Sequence, residues 1–238
     1  MADPESARDR LAEARLYLLF TPSECGERDP LEVLEAALPH VDLIQIRPKR
    51  ADRDLDPLPV PAREPARLAT TDAREALEWA RSVLDLVRSL GAEAPPVLIN
   101  DRVDVAHALR EEGCAGVHLG QEDAPPGVAR DLLGPEPLIG WSTHSPAQVV
   151  AAEREPVDYL GFGPIFATVT KGYRRGLGPE AAWIADQAAD RPVFPIGGIG
   201  LAQAGELEGV GRAAVSSAIL GAADPAGAAR QLRSLLAG

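Results

Sequence analysis

The feature that most constrains the fold is an eightfold alternation of short apolar runs with longer segments that carry apolar residues at helical spacing. Most of the runs are apolar on both faces, which is typical of strands in a parallel sheet covered by helices. Pro195 makes the seventh run the least regular, because proline cannot donate to a sheet ladder. The predicted strands span residues 16–20, 42–46, 97–100, 116–119, 138–142, 159–162, 193–196 and 213–216.

The intervening segments predict helices, several of which start with proline in the first turn, where its missing N–H is not needed. They span residues 30–38, 72–90, 103–112, 125–133, 146–153, 179–189, 202–207 and 225–236, and an extra N-terminal helix at 3–14 is expected to cover the barrel bottom. Eight strand–helix units predict a single (β/α)8 TIM barrel that spans residues 1–238 as one domain. A doubly wound sheet is the alternative, but the first strand is followed by Thr21-Pro22-Ser23 rather than by the glycine-rich turn of dinucleotide-binding sheets.

Residues 50–70 interrupt this rhythm with many prolines, aspartates and arginines and little periodicity. A segment of this composition after the second strand predicts a long exposed loop insertion, either an inert one or a lid.

The formal net charge of −12 limits the classes of partner. An acidic surface argues against nucleic acid and against an anionic membrane as partners, and no apolar run approaches the roughly 20 residues of a membrane span. Cys25 and Cys114 have no metal or redox spacing, so a reducing cytoplasm is the expected location. A homo-oligomer is left open by the sequence.

Rare residue types stand at the ends of the predicted strands, where the active site of such a barrel lies. The chain has only two lysines among its 24 basic residues, Lys49 and Lys171, and a single asparagine, Asn100. Strand alternation places Gln45, Arg47 and Lys49 on one side, an arrangement that suits a polyphosphate. The alternative interpretation of this segment is an ordinary solvated strand end.

Two carboxylates follow neighbouring strands, Asp101 after the third and Asp123 after the fourth. Hard oxygen ligands of this kind suit Mg²⁺, which takes one or two carboxylates together with substrate phosphates. The alternative is that each aspartate caps the helix that follows it. His118 is expected to pack or hydrogen-bond inside the barrel, whereas His144 either contacts a substrate or belongs to a helix-capping loop.

The last three strands lead into segments that suit an anion. Residues 161–172 include Thr168, Thr170 and Lys171 in a glycine-bounded loop, and hydroxyls, amides and a lysine are good anion ligands. Gly198 follows strand seven, while Ser216-Ser217 ends strand eight, where barrels of this kind commonly bind phosphate. With no acid–base dyad or nucleophile evident, two anion sites predict group transfer with a stabilised diphosphate leaving group.

The motifs carrying these residues resemble, in order, those of the thiamine-phosphate synthase family. They are Gln45-Ile46-Arg47-Pro48-Lys49, Ile99-Asn100-Asp101, Val117-His118-Leu119-Gly120-Gln121-Glu122-Asp123, Gly140-Trp141-Ser142-Thr143-His144-Ser145, Gly163-Pro164-Ile165-Phe166-Ala167-Thr168-Val169-Thr170-Lys171, Ile196-Gly197-Gly198-Ile199 and Ser217-Ala218-Ile219. The family joins a hydroxymethylpyrimidine diphosphate to thiazole phosphate with Mg²⁺, by a dissociative mechanism that releases pyrophosphate.

The resemblance also implies a role for each residue. The implied ligands of the pyrimidine diphosphate are Gln45, Arg47, Lys49, Asn100, Ser142 and Lys171. Those of Mg²⁺ are Asp101 and Asp123, and those of the thiazole phosphate are Thr168, Thr170, Gly198, Ser216 and Ser217. Two alternatives are a thiazole tautomerase-like isomerase, which loses parts of the diphosphate–Mg²⁺ set, and a homologue that binds thiamine phosphate without turnover.

Overall fold

A barrel of parallel strands forms the centre of the computed structural model, which describes residues 4–48, 72–167, 176–207 and 209–237. The described part of the chain contains eight strands in the order β7-β6-β5-β4-β3-β2-β1-β8, and a parallel bridge between Ile196 and Ala214 closes the ring. The strands are β1 (Leu16–Phe20), β2 (Leu43–Ile46), β3 (Val97–Asn100), β4 (Gly116–Leu119), β5 (Leu138–Thr143), β6 (Tyr159–Phe162), β7 (Val193–Pro195) and β8 (Ala213–Val215).

One helix, α1, precedes the first strand, and at least one helix follows each strand on the outside of the ring. They are α1 (Pro4–Glu13), α2 (Pro30–Ala37), α3 (Ala73–Arg88), α4 (Val103–Ala108), α5 (Pro126–Leu133), α6 (Pro146–Ala152), α7 (Pro179–Gln187), α8 (Leu201–Ala204), α9 (Ser217–Leu220) and α10 (Pro225–Ala237). The predicted TIM barrel is therefore confirmed, and the alternative of an open doubly wound sheet is wrong.

Alternation along each strand divides the core into two layers, because successive side chains point to opposite faces. The outer layer packs the strands against the helices. The inner layer fills the barrel with Tyr17, Leu19, Leu43, Leu98, Leu138, Tyr159, Phe194 and Ala214. Leu11 and Ala14, at the end of α1, belong to the same inner cluster. The N-terminal helix thus covers the bottom of the barrel as predicted, and its Arg8 pairs with Asp158 at 3.1 Å.

The differences from the predicted elements are local. The helix predicted at 103–112 is α4 followed by a 3-10 turn at Arg110–Glu112, and the helix predicted at 202–207 is α8 followed by a 3-10 turn at Gly205–Leu207. Strand β7 ends at Pro195, one residue early, and α9 is a short helix that the sequence did not indicate. The predicted insertion at 50–70 lies outside the described residues. None of the described helices combines the length and apolarity that crossing a bilayer requires.

Candidate active site

A cavity of about 440 Å³ opens at the carboxyl ends of the strands. Its walls come from β1, β5, β6 and β8 and from the segments that follow β2 and β5 to β8. Several residues that the sequence singled out share this cavity, namely Arg47, Ser142, Gly198, Ser216 and Ser217. The structure therefore brings together residues from both predicted anion sites.

Arg47 is the only lysine, arginine, aspartate or glutamate among the described residues that line this cavity. It is 9% exposed, and its backbone N–H donates to the Phe20 carbonyl oxygen at 2.9 Å, so the strand end is held in the sheet. Burial lowers the pKa of the Arg47 guanidinium from its ordinary value, while the negative charge of Asp101 opposes that shift. Within the described part of the chain Arg47 forms no ion pair. A buried cation of this kind favours an anionic ligand.

In the segment after β7, Gly198 lies too close to its neighbours to carry a side chain. Gly198 has a φ of 65°, and a Cβ at this position would lie 2.4 Å from the carbonyl oxygen of Ala167. On the adjacent strand, the Ser216 hydroxyl donates to the Leu19 carbonyl oxygen at 2.8 Å. Ser216 thus lines the cavity with its hydroxyl already engaged by the barrel, whereas Ser217 is exposed at the cavity.

Asn100 is the last residue of β3, and Asp101 and Asp123 follow β3 and β4; none of the three is among the residues that line this cavity. Asn100 Nδ2 donates to Asp101 Oδ2 at 2.5 Å, and Asp101 has a φ of 64°, which is uncommon for a residue other than glycine. Asp123 Oδ2 accepts from the Gly120 N–H at 2.7 Å.

The capping interpretation of the two aspartates is wrong. The residue that precedes α4 is Arg102, and the one that precedes α5 is Pro125; neither helix has a side-chain cap. The carboxylates are instead held by local hydrogen bonds at the strand ends. Their predicted role as metal ligands stays a prediction.

Gln45 and Ser142 are connected to the barrel interior. Gln45 is 2% exposed and its Nε2 donates to the Tyr17 hydroxyl at 2.8 Å. Ser142 Oγ lies 2.9 Å from His118 Nε2. The prediction that His118 hydrogen-bonds inside the barrel is confirmed, since it is buried and uses both ring nitrogens.

His144 lines the cavity, although the sequence left its role open. Its Nδ1 lies 2.6 Å from the Gly163 carbonyl oxygen. Because a carbonyl oxygen only accepts hydrogen bonds, Nδ1 carries the proton. The next residue, Ser145, caps α6 by accepting from the Gln148 N–H at 3.3 Å, so capping and exposure to the cavity coexist in this loop.

Other lining residues were missed by the sequence analysis, among them Leu19, Ile196 and Gln203. Leu19 and Ile196 look like ordinary strand residues, and only the closure of the barrel shows that they face the cavity. Four predicted residues, Lys49, Thr168, Thr170 and Lys171, lie outside the described residues, and their roles stay predictions.

Comparisons with known proteins agree with this architecture. The sequence model of the family described as thiamine monophosphate synthase matches residues 16–219. A thiamine-phosphate synthase of Synechococcus sp. (strain CC9605) is 42% identical over 228 residues, which cover 94% of this chain and 56% of that protein. The chain thus spans about half the length of this relative. A thiamine-phosphate synthase of Mycobacterium sp. (strain KMS) is 41% identical over 233 residues, covering 95% of this chain and 94% of the relative.

Among solved structures, the thiamine phosphate pyrophosphorylase from Pyrococcus furiosus superposes with a TM-score of 0.74 at 30% sequence identity. The match covers 96% of each chain. Fold, family match and identity over most of the sequence agree: the chain belongs to the thiamine monophosphate synthase family.

Proposed function

We propose that this chain is a transferase that couples 4-amino-2-methyl-5-(diphosphooxymethyl)pyrimidine with thiazole phosphate. The products are thiamine phosphate and pyrophosphate. Membership of the family supports this reaction, and so does the similarity to thiamine-phosphate synthases over most of the chain. A cytoplasmic location is part of the same proposal.

One observation carries the proposal beyond family membership: a buried cation, which forms no ion pair among the described residues, shares a single cavity with the segments after β7 and β8. Arg47 supplies the positive charge, while Gly198 and Ser217 supply exposed backbone and a hydroxyl. A chain with a net charge of −12 has little general attraction for phosphates, so an anionic substrate needs such a local site.

The same residues suggest how the reaction is assisted. No aspartate or glutamate among the described residues lines the cavity, so binding and charge stabilisation are favoured over proton transfer by a carboxylate. Arg47 would hold the diphosphate and stabilise the negative charge that grows on it as the bond to the pyrimidine methylene breaks. Burial strengthens this interaction, because the guanidinium acts in a medium of lower dielectric than water. The thiazole nitrogen is itself the nucleophile.

Asp101 and Asp123 would hold Mg²⁺. Mg²⁺ is usually held by one or two carboxylates together with substrate phosphates, which is the number of aspartates that these two strand ends supply. Asp123 Oδ2 is engaged by Gly120, and its other carboxylate oxygen has no hydrogen-bond partner within the described residues. When bound, Mg²⁺ would neutralise charge on the leaving diphosphate.

The deciding experiment incubates the purified chain with both phosphorylated precursors and Mg²⁺ and measures thiamine phosphate and pyrophosphate. Stoichiometric formation of both products supports the transferase. Metal-independent isomerisation of the thiazole without coupling would identify an isomerase. Tight binding of thiamine phosphate without turnover would identify a binding protein. Either of those outcomes would overturn the proposal.

The metal assignment has its own test. Asp101→Asn and Asp123→Asn should each raise the Mg²⁺ concentration needed for half-maximal rate by tenfold or more, roughly the loss seen when a metal-site interaction is removed. Glu122→Gln is the matched control, because Glu122 is adjacent to Asp123 but exposed. Calorimetric titration with Mg²⁺ and pyrophosphate gives a readout that is independent of turnover. An equal effect of all three substitutions would refute the assignment.

A further inference from the structure

A continuous chain of hydrogen bonds crosses the barrel interior and ends at the cavity. Gln45 Nε2 donates to the Tyr17 hydroxyl at 2.8 Å, and the Tyr17 and Tyr159 hydroxyls are 2.7 Å apart. The Tyr159 hydroxyl lies 3.1 Å from His118 Nδ1, and His118 Nε2 lies 2.9 Å from Ser142 Oγ. We call these five side chains the interior relay.

The barrel makes room for this relay at one position of β5. Strand register places Gly140 between His118 on β4 and Tyr159 on β6. A Cβ at Gly140 would lie 2.1 Å from Tyr159 Cζ, 2.4 Å from its hydroxyl oxygen and 2.5 Å from His118 Nδ1. Two side chains on strands that are not adjacent can therefore meet across the missing side chain of the middle strand.

The chemistry of the donors gives the relay a direction. The Gln45 amide nitrogen donates to Tyr17, so the Tyr17 proton is available for Tyr159, and the Tyr159 proton for His118 Nδ1. Burial raises the pKa of both phenols well above the ordinary value, which keeps the two protons on the tyrosines. An imidazole that accepts at Nδ1 carries its proton on Nε2 and donates it to Ser142 Oγ.

This direction determines what Ser142 offers to a ligand. With the Nε2–H tautomer, the Ser142 oxygen accepts from His118, and the proton of Ser142 is left to point into the cavity that it lines. If His118 carried its proton on Nδ1 instead, its Nε2 would be an acceptor, and Ser142 would have to donate its proton to it. The tautomer of a buried histidine thus decides whether the cavity presents a hydroxyl donor.

We propose that Tyr159 and His118 are positioning residues, which hold Ser142 as a hydrogen-bond donor to an acceptor atom of the pyrimidine diphosphate. This inference rests on the proposed function for the identity of the ligand. The state of the relay can nevertheless be measured without any substrate.

The first test is the tautomer of His118 in the intact protein. Long-range ¹H–¹⁵N spectra of the ¹⁵N-histidine-labelled chain at pH 8 distinguish the two tautomers. The His118 signal is identified through its contact with the Tyr159 ring, whose centroid lies 5.5 Å away. We expect a proton on Nε2, and a proton on Nδ1 would overturn the inference. This measurement needs no substitution, so a variant that fails to fold cannot obscure it.

Two tyrosines of equal burial provide a matched pair of variants. Tyr17 and Tyr159 are 1% and 0% exposed, and either change to Phe removes one hydroxyl from the same core. Tyr159→Phe removes the donor to His118 Nδ1 and should give a mixture of tautomers. Tyr17→Phe leaves the Tyr159–His118 hydrogen bond in place and should keep the Nε2–H form. Identical spectra for the two variants would contradict the proposed direction.

Kinetics then show whether the relay acts through Ser142. Tyr159→Phe should raise the KM for the pyrimidine diphosphate roughly tenfold, the loss expected for one neutral hydrogen bond, and should leave the KM for thiazole phosphate unchanged. In a Ser142→Ala background the same change should have little further effect, because the group that Tyr159 positions is gone. Additive losses would mean that Tyr159 only supports packing, and would overturn the inference.

Failure of the inference and failure of the proposed function give different results. If the unaltered chain forms thiamine phosphate but Tyr159→Phe changes neither the tautomer nor the KM, the relay has no positioning role and the function stands. If the unaltered chain forms no thiamine phosphate, the proposed function fails and, with it, the assignment of the ligand. His118→Gln, whose amide nitrogen can donate to Ser142, should retain a lower KM than His118→Ala; equal KM values would contradict the role of His118.

Discussion

Replacing Gly140 by alanine is the most direct perturbation of the barrel interior. The added Cβ would lie 2.1 Å from Tyr159 Cζ and 2.5 Å from His118 Nδ1, both far inside van der Waals contact. Strand β5 is paired on both sides, so the new methyl group cannot move away without disturbing two ladders. The Tyr159 side chain must shift, and it is fully buried with its hydroxyl bonded to both Tyr17 and His118.

The expected cost follows from these contacts. Overpacking of a core costs about 1–3 kcal/mol, and each of the two hydrogen bonds that Tyr159 loses contributes about 1 kcal/mol. Alanine also reduces the entropy of the unfolded chain relative to glycine, which returns roughly 0.5–1 kcal/mol. We therefore expect Gly140→Ala to lower the free energy of unfolding by about 3 kcal/mol. With an m-value of roughly 3 kcal/mol/M, the urea midpoint would fall by about 1 M.

Gly161→Ala is the matched control for this measurement. Gly161 is also a buried strand glycine, and its Cβ would meet His118 Cε1 at 3.2 Å and Nε2 at 3.4 Å. Contacts of that length need only a small adjustment, so this variant should lose about 1 kcal/mol or less. Both proteins are unfolded in urea and followed by circular dichroism. Equal midpoints for the two variants would refute the argument that the relay occupies the space beside Gly140.

Three further predictions concern Arg47, the loop after β7 and a buried thiol. Arg47→Met should lower kcat/KM at least about 100-fold and leave the free energy of unfolding unchanged or higher, because burying a cation that has no ion-pair partner among the described residues costs stability. A large loss of stability on thermal unfolding would contradict this. Gly198→Ala should raise the KM for thiazole phosphate at least about tenfold, because its Cβ would meet the Ala167 carbonyl oxygen. Gly26→Ala is the control: Gly26 also has a positive φ, of 68°, but no atom lies within 4 Å of its Cβ, so this variant should leave the KM unchanged. Burial raises the pKa of the Cys114 thiol from 9.0 to about 12, so the contribution of this shift to stability is complete below pH 9 and is lost towards pH 12. Between pH 9 and 11 the free energy of unfolding should therefore fall less steeply in Cys114→Ala than in the unaltered chain, with slopes that differ by up to about 1.4 kcal/mol per pH unit. Parallel slopes from urea titrations would refute this.

The fold was predictable because the signal for each element is local. Apolar runs bounded by turn residues mark the strands, and proline at the start of α2, α5, α6, α7 and α10 marks helix beginnings. Errors occurred where the outcome depends on tertiary contacts. Strand β7 ends at Pro195, which cannot donate, and the short α9 follows Ser216, whose hydroxyl is engaged by the neighbouring β1. A single sequence gives no local signal for that engagement.

The candidate site was predictable in part for the same reason. Arg47, Gly198 and Ser217 follow predicted strands, and the rule that parallel strands bring their carboxyl ends together placed them at one rim. The alternative role of Asp101 and Asp123 as helix caps could not be excluded from spacing alone, because an aspartate before a helix has the same sequence signal whether or not its side chain turns towards the helix. Only hydrogen-bond partners separate the two cases.

The interior relay shows why a barrel of this kind can tolerate polar residues at its centre. The buried side chains of Gln45 and His118 would each be costly if left without partners, and the two tyrosines join them and Ser142 into one chain. An apolar filling in place of these side chains would leave Ser142 without its contact to His118. Because Gln45 is the donor at one end of this chain, it sets the donor in each later hydrogen bond. The polar core therefore determines whether Ser142 presents a donor to the cavity. The composition of the barrel core is therefore tied to what binds at its rim, and stability and ligand recognition should change together when Gly140 or Tyr159 is altered.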